Sequence, residues 1–446
     1  MSDLTAQDTE FGRRVVAKTA RRLIPLMALL YFINYVDRVN VGFAALTMNA
    51  DLGLTATVFG LGAGLFFLGY FVFEVPSNLA LHRFGARLWI TRIVVSWGLV
   101  AAAMGFVQGP TSFFVVRVIL GIAEAGFFPG MILYLTYWFP RRDRARMTSL
   151  FYAALPLSTV LGAPLSTLLI RYGDGVFGLA GWRFMYIVEG LAAVALGFLA
   201  YKFLTDRPEK ARWLSEEERA WLTRTIAAED DAAASGHKVG ALRALIHPRV
   251  LLLSLIYFGI VFGLYVVGFF LPQIVQGFQT AAGTKFGLVE VGLITAVPYA
   301  VATVAMLLWS RHSDRTGERI WHVALPAFVG ATAVAVSLHL GSPLTTMIAI
   351  TVTAVGIFCA VPVLWQLPST FLVGTAAAAG IGFINSIGNL SGFAGPYLVG
   401  WLKDTTGSFQ AGMLVVAGFM ALSGVLVLSL RGRAPAIPAR PALVTD

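Results

Sequence analysis

Twelve apolar runs, each long enough to cross a bilayer, constrain this chain more than any other feature. About 30 Å of hydrocarbon needs roughly 20 helical residues. Such runs fall near 23–46, 57–79, 88–108, 111–138, 147–170, 182–204, 250–277, 287–309, 321–341, 343–365, 374–400 and 408–430. A run in lipid must satisfy its own backbone hydrogen bonds, so each is expected to be a helix. Composition agrees: 57% of the 446 residues are hydrophobic and 13% are charged, against about a quarter charged in soluble domains. Residues 1–22 are polar and basic, with no short apolar core and small-residue cleavage site, so no signal peptide is expected. The single cysteine, Cys359, lies in an apolar run and can form no internal disulfide.

The formal net charge of +10 would by itself raise nucleic acid as a partner, but the charges are arranged by side. Numbered from a cytoplasmic N-terminus, the inner loops and tails hold 26 Lys and Arg, and the outer side holds four: Arg171, Arg183, Lys285 and Lys403. That bias predicts both termini inside a bacterial inner membrane. The positive charge is topological, and nucleic acid is not expected.

The longest polar stretch, 205–249, divides the runs six and six. It separates an N-terminal tail (1–22) and a first bundle (23–204) from a second bundle (250–430) and a C-terminal tail (431–446). Within it, Ser215 stands three residues before Glu218, the spacing of a capping box, and opens an amphipathic surface helix reading WLSEEERAWLTRTI. An internal repeat supports the division. His82-Arg83-Phe84-Gly85-Ala86-Arg87 follows the second run, and Asp314-Arg315-Thr316-Gly317-Glu318-Arg319 follows the eighth, 232 residues later.

The D-R-x-G-x-R loop resembles the signature of major facilitator transporters. It is complete in the second copy, at Asp314, Arg315, Gly317 and Arg319. The first copy keeps Arg83, Gly85 and Arg87, while His82 replaces the usual acid and Ala86 a usual basic residue. Further stretches resemble the anion:cation symporter branch: NYVDRVNVGFA (34–44), FEVPSNLA (73–80), RVILGIAEAGFFPG (117–130), DRPEKARWL (206–214) and FLPQIV (270–275). The resemblance implies an all-α membrane protein of twelve transmembrane helices in two pseudo-symmetric six-helix bundles. It implies alternating access with the substrate near the midplane, and the two loops as conformational elements. Members of that branch import tartrate-, galactonate-, glucarate-, phthalate- or hydroxyphenylacetate-like anions, mostly driven by protons, and a monomer needing no cofactor is expected.

Ionisable residues inside spans are costly and mark a pathway by default. The first half holds Asp37, Arg38, Glu74, Arg117, Glu124 and Glu189; the second half has almost none, with Glu290 near an end. Arg117 and Glu124, seven apart, share one helix face about 10 Å apart along the axis, a gap that a small anion could bridge. With Asp37 and Glu124 ionised, the acids compete with substrate for the arginines. Protonated, they leave Arg38 and Arg117 free to grip a carboxylate bidentately. Asp37 and Glu124 are therefore the candidate proton carriers, with Glu124 favoured because no arginine adjoins it in sequence. The resemblance implies the same roles at these four positions. Glu74 and Glu189 read instead as ion-pair partners that hold helices together. All six histidines (82, 237, 247, 312, 322 and 339) fall in loops or near span ends.

Tyr35 and Tyr70 are expected to line the site from the first half, and Tyr257, Tyr265, Trp365, Gln366, Asn385 and Asn389 from the second. The amides of Asn385 and Asn389, four apart, suit a hydroxy-acid. Gly126 and Gly130, like Gly388 and Gly392, read as close-packing positions. No G-x-x-x-x-G-K-[ST], H-E-x-x-H or paired cysteine occurs, so an ATP site, a metal centre and an enzyme are not expected. Two other functions compete with anion import: proton-coupled drug or metabolite efflux, which the buried arginines disfavour, and a transporter-like membrane receptor, for which the central loop is too short to hold a signalling domain.

Overall fold

Every regular element among the described residues is a helix, as expected where backbone groups must pair within their own segment. The computed structural model describes residues 2–234, 245–281, 286–340, 342–368, 371–372 and 374–431. The first stretch contains α1 (Ser2–Leu52), α2 (Ala56–Phe84), α3 (Ala86–Ala103), α4 (Pro110–Glu124), α5 (Phe127–Trp138), α6 (Arg141–Tyr152), α7 (Ala154–Gly173), α8 (Gly181–Phe203) and α9 (Glu216–Ala234). After it come α10 (Pro248–Ala281), α11 (Leu288–Thr316), α12 (Ile320–Ser337), α13 (Pro343–Leu364), α14 (Gly374–Asn389), α15 (Ser391–Thr406) and α16 (Gln410–Leu428). His237, part of the central linker and most of the C-terminal tail lie outside the described residues.

Ten of the twelve expected spans are long and apolar enough to cross a membrane on length and composition alone. The other two depart for physical reasons. In α1 the polar set Asn34, Asp37, Arg38 and Asn40 dilutes the apolar run. In the eleventh run Asn385, Ser386, Asn389 and several glycines dilute the apolar residues in the same way, and a tight turn at Leu390, whose N–H reaches both Ser386 O and Ile387 O, divides it into α14 and α15.

The chain forms two compact units. One comprises Met1–Ala44 and Leu65–His237; the other comprises Ala45–Gly64 and Lys238–Asp446. Within the first, α3 and α8 approach until a Cβ on Gly98 would meet Gly190 O at 2.7 Å. Within the second, α12 and α13 meet where a Cβ on Gly330 would lie 3.5 Å from the Gly356 Cα. Gly98 and Gly330 are themselves 232 residues apart, so the repeat extends from the loops into the packing. Small residues let backbones approach where lipid gives no hydrophobic drive for association.

The expected surface helix is α9. Its capping box is formed: Glu218 N–H donates to Ser215 Oγ at 3.2 Å and Ser215 N–H to the Glu218 carboxylate at 2.8 Å. Lys18 of α1 pairs with Glu218 at 2.6 Å. One glycine does more than close packing. Gly126 sits at φ 83° and interrupts the fourth span directly after Glu124, while Arg92 of α3 donates to the Ala123 carbonyl at 3.4 Å. A side chain at Gly126 would be strained by that φ and would also strike Ser77.

Candidate functional site

Five of the six buried charged side chains of the first unit, all but Glu74, divide into two clusters, and helix geometry decides the division. Successive residues on a helix diverge by about 100°, so Asp37 and Arg38 cannot face one partner. Arg38 turns toward α4, where its Nη2 forms a buried ion pair with Glu124. Its guanidinium carbon also lies 5.3 Å from the Phe66 ring centroid and 5.3 Å from that of Tyr70, both on α2. Arg117, fully buried, stands 5.0 Å from the same Phe66 ring. Two arginines thus share one aromatic surface, an arrangement that favours guanidinium over ammonium.

Asp37 faces the other way. Trp97 of α3 donates its indole N–H to Asp37 Oδ2 at 2.8 Å, and Asn40, three residues on along α1, reaches Oδ1 at 3.5 Å. The same Asn40 amide donates to Glu189 of α8 at 2.8 Å, and Ser166 of α7 donates to the other Glu189 oxygen at 2.7 Å. Glu189 makes no ion pair among the described residues, so its expected role as an ionic strut is replaced by neutral hydrogen bonding.

Glu124 is paired across helices with Arg38, while Arg117 stands seven residues before it on the same helix. Glu124, which has no arginine beside it in sequence, has one in space; Asp37, which adjoins Arg38 in sequence, does not pair with it. Removing one member of a buried ion pair typically costs about 3–5 kcal/mol. Any event that neutralises Glu124 therefore has a large consequence for Arg38. Tyr35 and Tyr70 are both buried in this unit.

The second unit contains a neutral set. Tyr265 donates to Asn389 Oδ1 at 2.8 Å, and Tyr257 packs edge-on to Trp365 with ring centroids 4.8 Å apart. Gly388 is needed beneath the Tyr257 ring, which a Cβ there would strike. Asn385 occupies the same face of α14 as Asn389, one turn earlier. Buried full charges are absent from this unit among its described residues.

The two repeat loops are built alike but capped differently. Gly85 (φ 87°) and Gly317 (φ 68°) both turn at a positive φ that favours glycine, with Gly317 alone in the left-handed helical conformation. In the first loop Asp206, from DRPEKARWL, accepts the Arg87 N–H at 3.0 Å. Arg87 Nε in turn donates to the Tyr201 carbonyl at 2.6 Å, and Arg83 lies over the Phe84 ring. In the second loop Arg319 binds Asp314 at 2.9 Å and Ser313 at 2.6 Å, while exposed Arg315 ends α11. Glu318 caps α12, accepting from the N–H groups of Trp321 and His322 at 2.8 and 3.1 Å. Burial pushes the Glu318 carboxyl up, but these backbone bonds and the His322 ring outweigh it and hold the group below the ordinary glutamate value. Sequence reasoning missed Phe66, Trp97, Asn40, Ser166 and Asp206 as parts of these sites.

The sequence profile of the Major Facilitator Superfamily matches residues 27–396. A protein of Agrobacterium vitis named "Putative tartrate transporter" is 53% identical over 423 residues, covering 95% of this chain and 92% of that protein. The "Quinolone resistance transporter" of Acinetobacter baumannii is 39% identical over 417 residues, 94% of this chain and 95% of that one. Among solved structures, a D-xylose-proton symporter superposes with a TM-score of 0.72 at 14% identity, covering 94% of this chain and 99% of that chain. At that identity the likeness is one of fold.

Proposed function

We propose that this chain, which belongs to the Major Facilitator Superfamily, imports a small organic carboxylate together with protons. It is a multi-pass membrane transporter of small organic substrates and not an enzyme; the substrate, the coupling ion and the site residues form the proposal. The observation that carries it is the buried Arg38–Glu124 pair beside Arg117, with both guanidinium groups on the Phe66 ring. Proton uptake by Glu124 weakens its hold on Arg38. Arg38 and Arg117 then present two planar forks to an incoming carboxylate, each able to make paired, charge-assisted hydrogen bonds. Release of the anion on the far side lets Arg38 recapture Glu124, which expels the proton and resets the site. Asp37 serves as the second acid. Tyr35 and Tyr70 complete the first unit's share of substrate binding. Tyr257, Trp365, Asn385 and Asn389 supply neutral hydrogen bonding and aromatic contact for the rest of the molecule, and the repeat loops serve the conformational change. The name of the Agrobacterium relative supports tartrate as the first anion to try. We further propose the bacterial inner membrane as its location, with both termini cytoplasmic, and a monomer that works without a cofactor.

The deciding experiment is uptake of labelled tartrate into proteoliposomes of the purified protein. An inward proton gradient should drive accumulation above the external concentration. Undiminished accumulation after pH gradient and voltage are both collapsed would falsify the coupling. The quinolone-resistance relative favours one second reading, proton-coupled efflux. That reading expects quinolone transport and no effect of tartrate on it, whereas two buried arginines suit an anion.

A further inference from the structure

We infer that Glu189 is a proton carrier of this transporter, sharing one proton with Asp37 through the amide of Asn40. The inference rests on the proton-coupled reading above and adds to it a residue, a helix and a route.

Asp37 is 2% exposed and Glu189 5%, and every hydrogen bond to either comes from a neutral donor. Asn40 reaches both, at 3.5 and 2.8 Å; Trp97 completes Asp37 and Ser166 completes Glu189. The charged and titratable groups around the pair are accounted for helix by helix. Arg38 on α1 is engaged with Glu124 on α4. Arg117 on α4 stands against Phe66, and Tyr186 on α8 lies within electrostatic range of Arg117, Glu189 and Asp37. The facing groups of α3 and α7, Trp97 and Ser166, are neutral. Neither Asp37 nor Glu189 forms an ion pair among the described residues.

Two carboxylates joined by one amide, out of water and without a cation bound to either, cannot both be ionised cheaply. One proton removes the repulsion. Asn40 is built to hold it, because its NH2 group carries a hydrogen for each carboxylate while its Oδ1 is buried with no hydrogen-bond partner. The acceptor that the site offers to a carboxyl O–H is that unpartnered Asn40 oxygen. Transfer breaks the O–H bond of one acid and forms that of the other, so the negative charge moves from acceptor to donor and nothing else is consumed. Because the pair stands apart from Arg38, it can store a proton while the Arg38–Glu124 bond opens and closes around substrate. Glu124 then gates the anion, and the Asp37–Glu189 pair holds a proton in reserve.

The test combines infrared difference spectroscopy with transport on the full-length protein. Wild type should show the carbonyl stretch of a protonated carboxyl that titrates with pH. E189Q and D37N should each remove that band, and the double variant should remove no more than either single one, since the proton is shared. In proteoliposomes E189Q should keep tartrate exchange and lose proton-driven accumulation. An E189Q protein that keeps the band and accumulates tartrate like wild type overturns the inference, leaving Glu189 a polar strut. If E189Q does not fold, N40L carries the test, because removing the bridging amide must shift the band and an unshifted band overturns the proposal. If wild type itself accumulates without a proton gradient, the symport reading fails instead, and the band still decides whether the pair shares a proton.

Discussion

The first unit gathers five of its six buried charged side chains around one aromatic ring and one asparagine, whereas the second offers tyrosine, tryptophan and amide groups with no buried charge among its described residues. Charge in a desolvated site is expensive and changes by whole units when a proton moves; neutral hydrogen bonds are cheap and nearly indifferent to pH. Under the proposed function, energy coupling and anion binding fall to the first unit and discrimination among anions to the second.

The sharpest way to break this contrast is to neutralise an acid. Glu124→Gln mimics the protonated state, keeping the arginines available but giving up the return step. It should bind tartrate with weakened pH dependence, still exchange it, and lose accumulation against a gradient altogether. Asp37→Asn should also abolish accumulation. If both accumulate like wild type in uptake assays, the first unit does not couple transport. Smaller in effect is Arg117→Lys, which keeps the charge but loses the fork. A charge-assisted bond is worth about 1.5–3 kcal/mol, so affinity should fall by roughly 10- to 100-fold; titration calorimetry giving a wild-type Kd would remove Arg117 as a clamp.

Changes in the second unit should be milder and different in kind. Tyr265→Phe or Asn389→Ala deletes one neutral hydrogen bond, worth about 1 kcal/mol. Either should alter the ranking of hydroxy-acids over their deoxy analogues by a few fold, with the pH profile of uptake unchanged. A shifted pH profile would blur the division of labour. The smallest effect concerns stability. Asp404 at the end of α15 accepts from Ala56 N–H, Thr57 N–H and Thr57 Oγ1 at 3.1, 2.7 and 2.5 Å, capping α2 within the second unit. Burial raises its carboxyl, but the Thr57, Thr55 and Ala56 donors together outweigh that and hold it below the ordinary aspartate value. A depressed carboxylate stabilises at pH above its unfolded value and loses that contribution as pH falls through the folded one. Asp404→Ala should therefore cost about 1 kcal/mol at neutral pH, seen as a lower Tm, with the difference from wild type vanishing in acid.

Much of this was readable in the residues. Apolar runs gave the helices, the loop repeat pointed to two halves although residues 45–64 join the second unit, and charges inside spans drew attention to Asp37, Arg38, Arg117 and Glu124, all of them buried. Partner choice was not readable in the same way. Adjacent residues on a helix are neighbours in sequence but point apart in space, which is why Arg38 meets Glu124 while Asp37 meets Trp97. The i, i+3 spacing of Asp37 and Asn40 was the available signal for the second cluster. Glu189 and Ser166 could join it only through the packing of α7 and α8 against α1. Gly126 reads identically as a packing glycine or a helix breaker, and only its backbone angle separates the two.

Residues 45–64 belong to the second unit although α1 and α2 also run through the first. A Cβ on Gly64 would meet the Phe393 carbonyl at 2.8 Å, and Gly60 and Gly400 press on the backbones of Pro396 and Ala56. Cutting the chain in its central linker therefore does not divide it into its folded parts. A C-terminal fragment made alone would present a vacant seat along α15, and an N-terminal fragment would carry two helix ends with nowhere to dock. Half-transporters of this protein should be recoverable only when co-expressed.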